Sequence, residues 1–414
     1  METALNTYLT IVIGFAFIFG MFSKAMKKII SPMFLAMMLG ILVSPQALNL
    51  IPDLEKLPRE IIFEQGARLT LAVGLMASAM RLTPSRLKML WRPGLLLTFS
   101  AMFAMWFISS LLAHFVLGMD WVYSLLLGAI ITPTDPILAS SIVTGSFARA
   151  NIDERIRILL SLESGANDGL AYLFVFVPIT IIKFPMAGSF FHEWFFNVLL
   201  WEVLAGMGIA IAAGAVAGKL FRFAKDRKLD EEGGLLIYSI CFSLVMLGSA
   251  KLIFTNEIWV VFIAGLTFNY FINEEERLEE EEMQDASNLL FNISLFFIFG
   301  FLLPWKEWFS VFGFELVMFA IMILFLRRIP AILLIYRFIP NIRVWYSALF
   351  MGWFGPIGVS GLFYAAMVFR KTGLYKIYLA AMFVIFVSVL AHGLTEVPFT
   401  KIYRNQIKKN QTLK

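Results

Sequence analysis

The sequence predicts an all-α polytopic membrane protein with about 13 transmembrane helices. Of its 414 residues, 60% are hydrophobic and only 15% are charged, and a water-soluble core cannot bury that much apolar surface. Apolar stretches of about 20 residues, each long enough to cross a bilayer, recur along the chain. Pro and Gly interrupt two of these stretches near their middle. These observations exclude a soluble globular protein, and the single Cys241 excludes a cysteine-based metal cluster.

The predicted spans are defined by hydropathy and length. They fall at 6–23, 29–45, 61–80, 93–117, 121–145, 155–182, 194–222, 233–252, 256–273, 285–304, 307–335, 342–369 and 375–398.

Basic residues predict the orientation of the chain. The net charge is +5, but the lysines and arginines gather in connections between spans, which favours membrane topology over a nucleic-acid partner. Connections after odd-numbered helices are the basic ones and are expected in the cytoplasm, with the N-terminus outside and residues 399–414 as a short basic cytoplasmic tail. These residues are Lys24, Lys27, Lys28, Arg81, Arg86, Lys88, Arg92, Arg149, Arg155, Arg157, Arg222, Lys225, Arg227 and Lys228. Two connections fit this pattern less well: the one after helix twelve is basic yet expected outside, and the run NEEERLEEEEMQD after helix nine is acidic yet expected inside.

Two interrupted segments predict an internal repeat. Helix five contains Thr134-Asp135-Pro136, and helix twelve contains a Gly- and Pro-rich run from Gly352 to Gly358. Broken helices at matching positions of two halves are typical of inverted-repeat transporters, whose substrate site lies between the breaks. We therefore expect a first repeat at 6–182, a linker helix at 194–222 and a second repeat at 233–398. Ordinary kinks are the simpler alternative, since Gly and Pro are common in membrane helices.

Carboxylates at membrane depth are the main functional signal. Asp135 and Asp168 would each cost about 2.5 to 3.5 kcal/mol at a helix centre, so they are expected to have a function. Helix six also carries Glu163, Ser164 and Asn167, and their spacing places them with Asp168 on one stripe of the helix. This stripe can face the interrupted helix five.

The residue types on these two helices are suited to a small hard cation. Asp168, Asp135, Ser164 and Thr134 offer carboxylate, hydroxyl and carbonyl oxygens, which are the ligands that hard cations prefer. Asn167 is expected to position the broken helix by hydrogen bonding. A carboxylate at this depth holds either a proton or a cation such as Na⁺ or Li⁺. Competition of this kind at a site exposed alternately to each side is antiport, and no resident cofactor is expected.

A buried Glu163 also requires a cationic partner. Helix eleven offers Arg327 and Arg328, and a buried arginine–carboxylate pair would satisfy both charges. We favour Arg328, although both arginines can also be read as the cytoplasmic flank of a helix that ends before Pro330.

Other functions are also compatible with parts of the sequence. The same carboxylates would suit a K⁺/H⁺ antiporter or a passive cation channel, although channels usually arrange such groups around an oligomeric axis. Ser360 and His392 suggest a Ser-His dyad of an intramembrane serine protease. That alternative leaves Asp135, Glu163 and Asp168 without a role.

Three motifs resemble the monovalent cation:proton antiporter family, in particular its NhaP branch and the fungal plasma-membrane Na⁺/H⁺ antiporters. They are TPTDP on helix five, ESGANDG on helix six and GWFGPIGVSGLFYA on helix twelve. The resemblance implies an NhaA-like fold, a homodimer in the cell membrane, and exchange of Na⁺ or Li⁺ for H⁺ by an elevator-like movement. The ion-transporting core would include 121–182 and 307–369.

The same resemblance implies a role for each residue of the site. Asp168 would be the essential ion- and proton-binding carboxylate, and Asn167 its structural neighbour. Thr134, Asp135 and Ser164 would coordinate the cation. Glu163 would pair with Arg328, which stands in the family's helix-eleven arginine position.

Overall fold

In the part of the chain that the computed structural model describes, the protein is built from helices, and this part contains no β-strand. The described residues are 2–26, 29–50, 58–135, 138, 140–229, 234–339, 342 and 344–412. Of the residues named above, Lys27, Lys28 and Pro136 lie outside these ranges.

The described helices are numbered here in chain order. They are α1 (Glu2–Met26), α2 (Pro32–Val43), α3 (Arg59–Arg81), α4 (Pro84–Leu117), α5 (Trp121–Ile130), α6 (Ser140–Val143), α7 (Gly145–Asn151), α8 (Glu154–Lys183), α9 (Ala187–His192), α10 (Gly206–Asp226), α11 (Leu235–Leu252), α12 (Glu257–Asn269), α13 (Glu274–Phe301), α14 (Trp305–Phe312), α15 (Glu315–Leu326), α16 (Ile329–Ile335), α17 (Trp345–Trp353), α18 (Val359–Thr372) and α19 (Tyr375–Thr412). Wide π-type turns over Glu193–Ala205 join α9 to α10.

Every predicted window overlaps one or more helices, but several boundaries differ. The window 307–335 is divided into three helices, because Gly313 adopts a left-handed φ of 62° between α14 and α15 and Pro330 lies in the first turn of α16. The acidic run after helix nine belongs to the start of α13, where Asn273 and Glu276 form a capping box. Residues 399–412, expected as a tail, continue α19.

Long apolar helices make this a multi-pass membrane protein. Six described helices are long and apolar enough to cross a bilayer by themselves, or seven if the bent pair of α13 and α14 counts as one span. The remaining spans are shorter or broken, so the count of thirteen stays a prediction. Large apolar side chains project from the surface of α4, where Phe99, Phe103 and Phe107 are exposed and positioned to contact lipid.

Both interruptions begin where the sequence stops supporting a helix. α5 ends at Ile130, three residues before Pro133, and a residue that precedes proline disfavours the helical conformation. α17 ends at Trp353, and the chain stays non-helical through Gly355 and Pro356 until α18 begins at Val359. The two non-helical segments are called the first break (131–135) and the second break (354–358) below.

Ion pairs gather the connections at two opposite ends of the molecule. At one end, Arg81 pairs with Asp285 at 3.1 Å, which joins the end of α3 to α13, and Arg86 pairs with Glu154 at 2.6 Å, which joins the start of α4 to the start of α8. At the other end, Arg370 of α18 pairs with Glu64 near the start of α3 at 2.8 Å. Since α3 runs from one end of the molecule to the other, these ion pairs show which connections lie together at each end.

Helix α8 lies at the centre of the arrangement. It packs against α4, α5 and α12, and it also contacts α3 and α18. Its middle turns are buried from Ile158 to Ala171. Two glycines permit the close approach of α12, because a Cβ at Gly165 would press on Phe262 and one at Gly169 on Trp259. The stripe predicted on helix six is therefore enclosed by protein on several sides.

Candidate ion-binding site

The first and second breaks meet directly. The amide of Asp135 donates to the carbonyl of Pro356 at 2.8 Å, and the amide of Val359 donates to Oδ2 of Asp135 at 2.9 Å. Gly358 makes this approach possible, since a Cβ there would lie 2.8 Å from Cβ of Asp135. Asp135 thus receives a donor from the N-terminal turn of α18, where the helix dipole favours a negative charge.

Three side chains of α8 hold the first break. The Ser164 hydroxyl donates to the Thr134 carbonyl. Asn167 donates from Nδ2 to Oγ1 of Thr134 at 2.8 Å and accepts the Thr134 amide on Oδ1 at 3.2 Å. One amide side chain therefore satisfies two polar groups of Thr134, which lies outside α5.

Asp168 faces α18 from the same stripe. Its side chain is 3% exposed, and its Oδ1 accepts a hydrogen bond of 2.5 Å from the Ser360 hydroxyl. The Tyr364 hydroxyl donates to the backbone carbonyl of Asp168 at 2.6 Å. The two membrane-depth acids thus belong to one site, and the carboxylate of each is bonded to the first turn of α18.

The buried charge of Glu163 is paired. Both guanidinium amino groups of Arg328 donate to its carboxylate, and the Nη2–Oε2 distance is 2.7 Å. Arg328 also donates from Nε to the Met351 carbonyl at 3.0 Å. Of the two arginines considered from the sequence, Arg328 is therefore the one that contacts Glu163, and this two-pronged contact joins α8 to the α16–α17 region.

Arg327 instead connects the breaks to each other. Its guanidinium donates to the carbonyls of Ile131 and Thr132 in the first break and to the Gly355 carbonyl in the second. These oxygens lie just beyond the carboxyl ends of α5 and α17, where helical carbonyls lose their partners and the dipole is negative. One buried cation thus compensates two helix ends.

A small cavity adjoins the first break. It has a volume of about 10 Å³, and its lining includes Thr134, Asp135 and Ser164. A volume of about 10 to 15 Å³ holds one water-sized particle. Asp168 is not among the residues described as lining it. The cavity therefore offers room for a single small particle beside three of the predicted oxygen ligands.

The alternative protease dyad does not form. Ser360 is bonded to Asp168, while both ring nitrogens of His392 face other groups: Nδ1 lies 2.8 Å from the Ser388 carbonyl and Nε2 lies 2.9 Å from the Trp353 carbonyl. Ser388 also accepts the Ile357 amide on its hydroxyl at 2.8 Å. The interpretation of Ser360 and His392 as a catalytic pair is therefore wrong, and His392 is a packed polar residue that contacts Ser388 and the last residue of α17.

Sequence reasoning missed two residues of the site. Ser360 had been assigned to the wrong chemistry, although its position in the first turn after a Gly-rich break was a usable signal. For Arg327 the sequence predicts a partner of Glu163 or a cytoplasmic helix flank, not a donor to the two breaks. An arginine between two broken helices could have been matched to their unpaired carbonyls, but which carbonyls lie within reach depends on the folded chain.

The chain belongs to the family described as sodium/hydrogen exchanger, transmembrane, whose sequence model matches residues 12–402. It is 31% identical over 359 residues to Na(+)/H(+) antiporter 2 of Zygosaccharomyces rouxii, covering 85% of this chain and 44% of that protein. It is 31% identical over 334 residues to the Na(+)/H(+) antiporter of Saccharomyces cerevisiae, covering 79% and 34%. The chain thus spans less than half the length of these yeast relatives.

More distant proteins share the fold or part of the sequence. The chain is 24% identical over 392 residues to K(+)/H(+) antiporter NhaP2 of Shewanella baltica, covering 91% of this chain and 65% of that protein. The solved structure of the sodium proton antiporter MjNhaP1 from Methanocaldococcus jannaschii superimposes with a TM-score of 0.72 at 18% identity, covering 96% and 98% of the two chains. The predicted all-helical antiporter fold is thereby confirmed.

Proposed function

We propose that this protein exchanges Na⁺ or Li⁺ for H⁺ across a membrane, with the proton and the cation competing for Asp168. The observation that carries the proposal is the convergence of two buried carboxylates at paired helix breaks, beside a cavity of about 10 Å³. Asp168 is the switch, and Asp135, Thr134 and Ser164 supply further oxygens to the cation. Asn167 and the Glu163–Arg328 pair hold these ligands in place.

The geometry supports a small, largely dehydrated cation. A hydrated ion would not fit a cavity that holds about one water-sized particle. The hydroxyls of Thr134 and Ser164 already belong to the hydrogen-bond network of the first break, so their oxygens are fixed before a cation arrives. The names of the yeast relatives, which are Na⁺/H⁺ antiporters, support the same ion.

Exchange of K⁺ for H⁺ is the second candidate. The Shewanella relative named as a K⁺/H⁺ antiporter favours it, at lower identity than the yeast relatives. The ligand types would be the same for both ions, so the dimensions of the site decide between them.

The proposed architecture is a pair of inverted repeats, 6–182 and 233–398, joined by a linker helix at 194–222. The core would include 121–182 and 307–369 and would move against the rest of a homodimer in the cell membrane. Both breaks lie in this core and are bonded to each other, which supports their moving as one unit. Alternating access of this kind needs a rigid site between two repeats.

The orientation places the N-terminus outside and the C-terminus in the cytoplasm. Support comes from a cavity of about 130 Å³ whose lining includes Arg81, Arg86, Arg149, Arg157 and Arg277, which brings together connections expected on the cytoplasmic side. The basic Arg370 lies at the opposite end, where its pair with Glu64 reduces its weight as a topological signal.

The test uses purified protein in vesicles that carry a pH gradient and an internal pH dye. Addition of Na⁺ or Li⁺ is expected to dissipate the gradient in the wild type, with K⁺ as the comparison ion. The rate should peak at an intermediate pH, because excess protons exclude the cation and scarce protons slow the return step. Asp168→Asn is expected to abolish the response, since a neutral amide cannot exchange a proton for a cation.

The matched control is Asp120→Asn, which makes the same chemical change at an exposed residue preceding α5. Asparagine is also a favourable residue before a helix, so this variant should behave as the wild type. A wild type that does not respond to any of the three cations contradicts the proposal, and so does an Asp168→Asn variant with full activity.

A further inference from the structure

We infer that Ser360 is a positioning residue for exchange, which holds the Asp168 carboxylate away from the cation cavity until a cation or a proton replaces its hydrogen bond. This inference deepens the proposed function and rests on it. It also assigns a role to a residue that the sequence suggested as a nucleophile.

The contact itself is the first observation. Ser360 is completely buried in the first turn of α18, and its hydroxyl lies 2.5 Å from Oδ1 of Asp168. A hydroxyl donor to a carboxylate forms one of the stronger hydrogen bonds in proteins and favours the charged form of the acid. Ser360 therefore stabilises Asp168 as an anion in the absence of a cation.

The position of the cavity is the second observation. Thr134, Asp135 and Ser164 line it, whereas Asp168 is not among its described lining residues. Asp168 is bonded instead to α18 through Ser360. For a cation in the cavity to reach Asp168, the carboxylate must turn from α18 toward the first break. The Ser360 hydrogen bond opposes that turn, so Ser360 competes with the cation for the Asp168 carboxylate.

The pairing with Val359 is the third observation. Consecutive residues of the same turn bind both acids, because the Val359 amide donates to Asp135 and the Ser360 hydroxyl donates to Asp168. The backbone donor remains whatever side chain is present, whereas the hydroxyl can be removed. Ser360→Ala thus separates the two contacts and leaves the first one intact.

Other titratable groups near the site have contacts of their own, and Asp135 accepts the Val359 amide. Tyr364 of α18 donates to the Asp168 backbone, not to its carboxylate. Glu257 at the start of α12 pairs with Arg68 at 2.5 Å. Glu202 accepts the hydroxyl of Tyr172. Ser360 is therefore a hydrogen-bond donor whose removal changes the Asp168 carboxylate without breaking one of these pairs.

The experiment measures protonation of Asp168 directly. Infrared difference spectra of the purified full chain, recorded during a pH titration without transported cation, contain a carboxyl C=O band that is assigned by its loss in Asp168→Asn. In Ser360→Ala the midpoint of this band is expected to rise by about one to two pH units, because a hydrogen bond to the charged form is lost. Ser360→Thr keeps a hydroxyl and should keep the wild-type midpoint.

Transport provides the second readout. In vesicles, the pH at which Ser360→Ala reaches half its maximal rate on the acidic side should rise by a similar amount. At pH values well above this midpoint its KM for Na⁺ should be equal to or lower than that of the wild type, since no serine competes for Asp168. Ser243→Ala is the control, because Ser243 is a buried serine of α11 that donates to Ile240 in its own helix.

Each outcome has a separate meaning. An unchanged infrared midpoint in Ser360→Ala overturns the role of Ser360, and so does an equal loss of rate at every pH. A shifted midpoint supports it. A wild type without cation-dependent proton movement overturns the proposed function, while the infrared titration still decides whether Ser360 controls Asp168.

Discussion

Individual residues in this protein carry charge at membrane depth only where another group compensates it. Glu163 is fully buried and depends on Arg328, which contacts it through both amino groups. Asp135 and Asp168 are each hydrogen-bonded to the first turn of α18. A permanent cation would compete with a transported one. Under the proposed function, the pairing of Glu163 is structural, whereas Asp135 and Asp168 bind the transported ions.

The Glu163–Arg328 pair leads to a prediction about stability. Glu163→Gln leaves the guanidinium of Arg328 buried without its counter-charge, which costs about 3 to 5 kcal/mol for pairs of this kind. We expect a marked fall in the unfolding temperature of the detergent-solubilised protein, followed by size-exclusion chromatography after heating. Replacing both residues with Glu163→Gln and Arg328→Met should recover much of the loss.

An exposed pair serves as the comparison. Glu154→Gln removes the partner of Arg86, and the side chain of Glu154 is 55% exposed. Pairs of this kind contribute about 0 to 1 kcal/mol, so the unfolding temperature should change little. Equal losses in the two single variants would argue against a special role for the buried pair.

At the scale of elements, the two breaks form one unit. The Asp135–Pro356 backbone hydrogen bond and the three contacts of Arg327 connect the segment after α5 to the segment after α17. Glycines are required where the segments touch, since a Cβ at Gly355 would press on Arg328 and one at Gly358 on Asp135. The glycines of the motif on helix twelve therefore permit close packing, and the motif also interrupts the helix.

Arg327 is predicted to be necessary for the rate of exchange. Arg327→Met removes the donors to the Ile131 and Gly355 carbonyls, and each buried carbonyl left unpaired costs about 1 to 3 kcal/mol. Movement of the breaks relative to each other should lower the transport rate at least tenfold. The vesicle assay measures this effect, and Arg327→Lys, which keeps one donor group, should retain part of the activity.

A matched substitution tests whether any buried arginine would give the same result. Arg277 lies at the start of α13, where it donates to Asn269 and to the Ile272 carbonyl, far along the chain from the breaks. Arg277→Met should affect stability more than it affects the transport rate measured per folded protein. An Arg327→Met variant with the wild-type rate would show that the carbonyls do not need this cation.

The sequence predicted much of this architecture because the bilayer imposes strong constraints. Apolar windows and membrane-depth acids are visible in a single sequence, and the contacts of Asn167 and Ser164 with Thr134 follow from the stripe on helix six. The divisions of the window 307–335 were missed, because Gly313 and Pro330 do not lower its hydropathy. The bond between Ser360 and Asp168 was missed because it joins residues 192 positions apart.

For the whole molecule, sidedness is the property that the chain itself makes easy to test. Cys241 is the single cysteine of the sequence and is exposed, so Cys241→Ser provides a background without thiols. In that background, Arg227→Cys in the connection after α10 and Lys306→Cys in α14 place thiols in connections expected on opposite sides. Both residues are exposed.

The expected result is labelling from opposite faces. A membrane-impermeant maleimide should modify Lys306→Cys in intact cells, and Arg227→Cys only after the inner face is opened by permeabilisation. The reverse pattern would invert the proposed orientation. Labelling of both positions from the same face would mean that an even number of spans lies between them, contrary to the proposed topology.

The pairing of Glu163 with Arg328 also has a consequence for biogenesis. The two residues are 165 positions apart, so α8 leaves the ribosome long before α16 is synthesised. During that interval an ionised glutamate has no counter-charge in the bilayer, and its insertion is unfavourable by several kcal/mol. We therefore expect synthesis of the second half of the chain to stabilise the integration of α8. The Glu163–Arg328 pair would in this way couple assembly of the first half of the chain to that of the second.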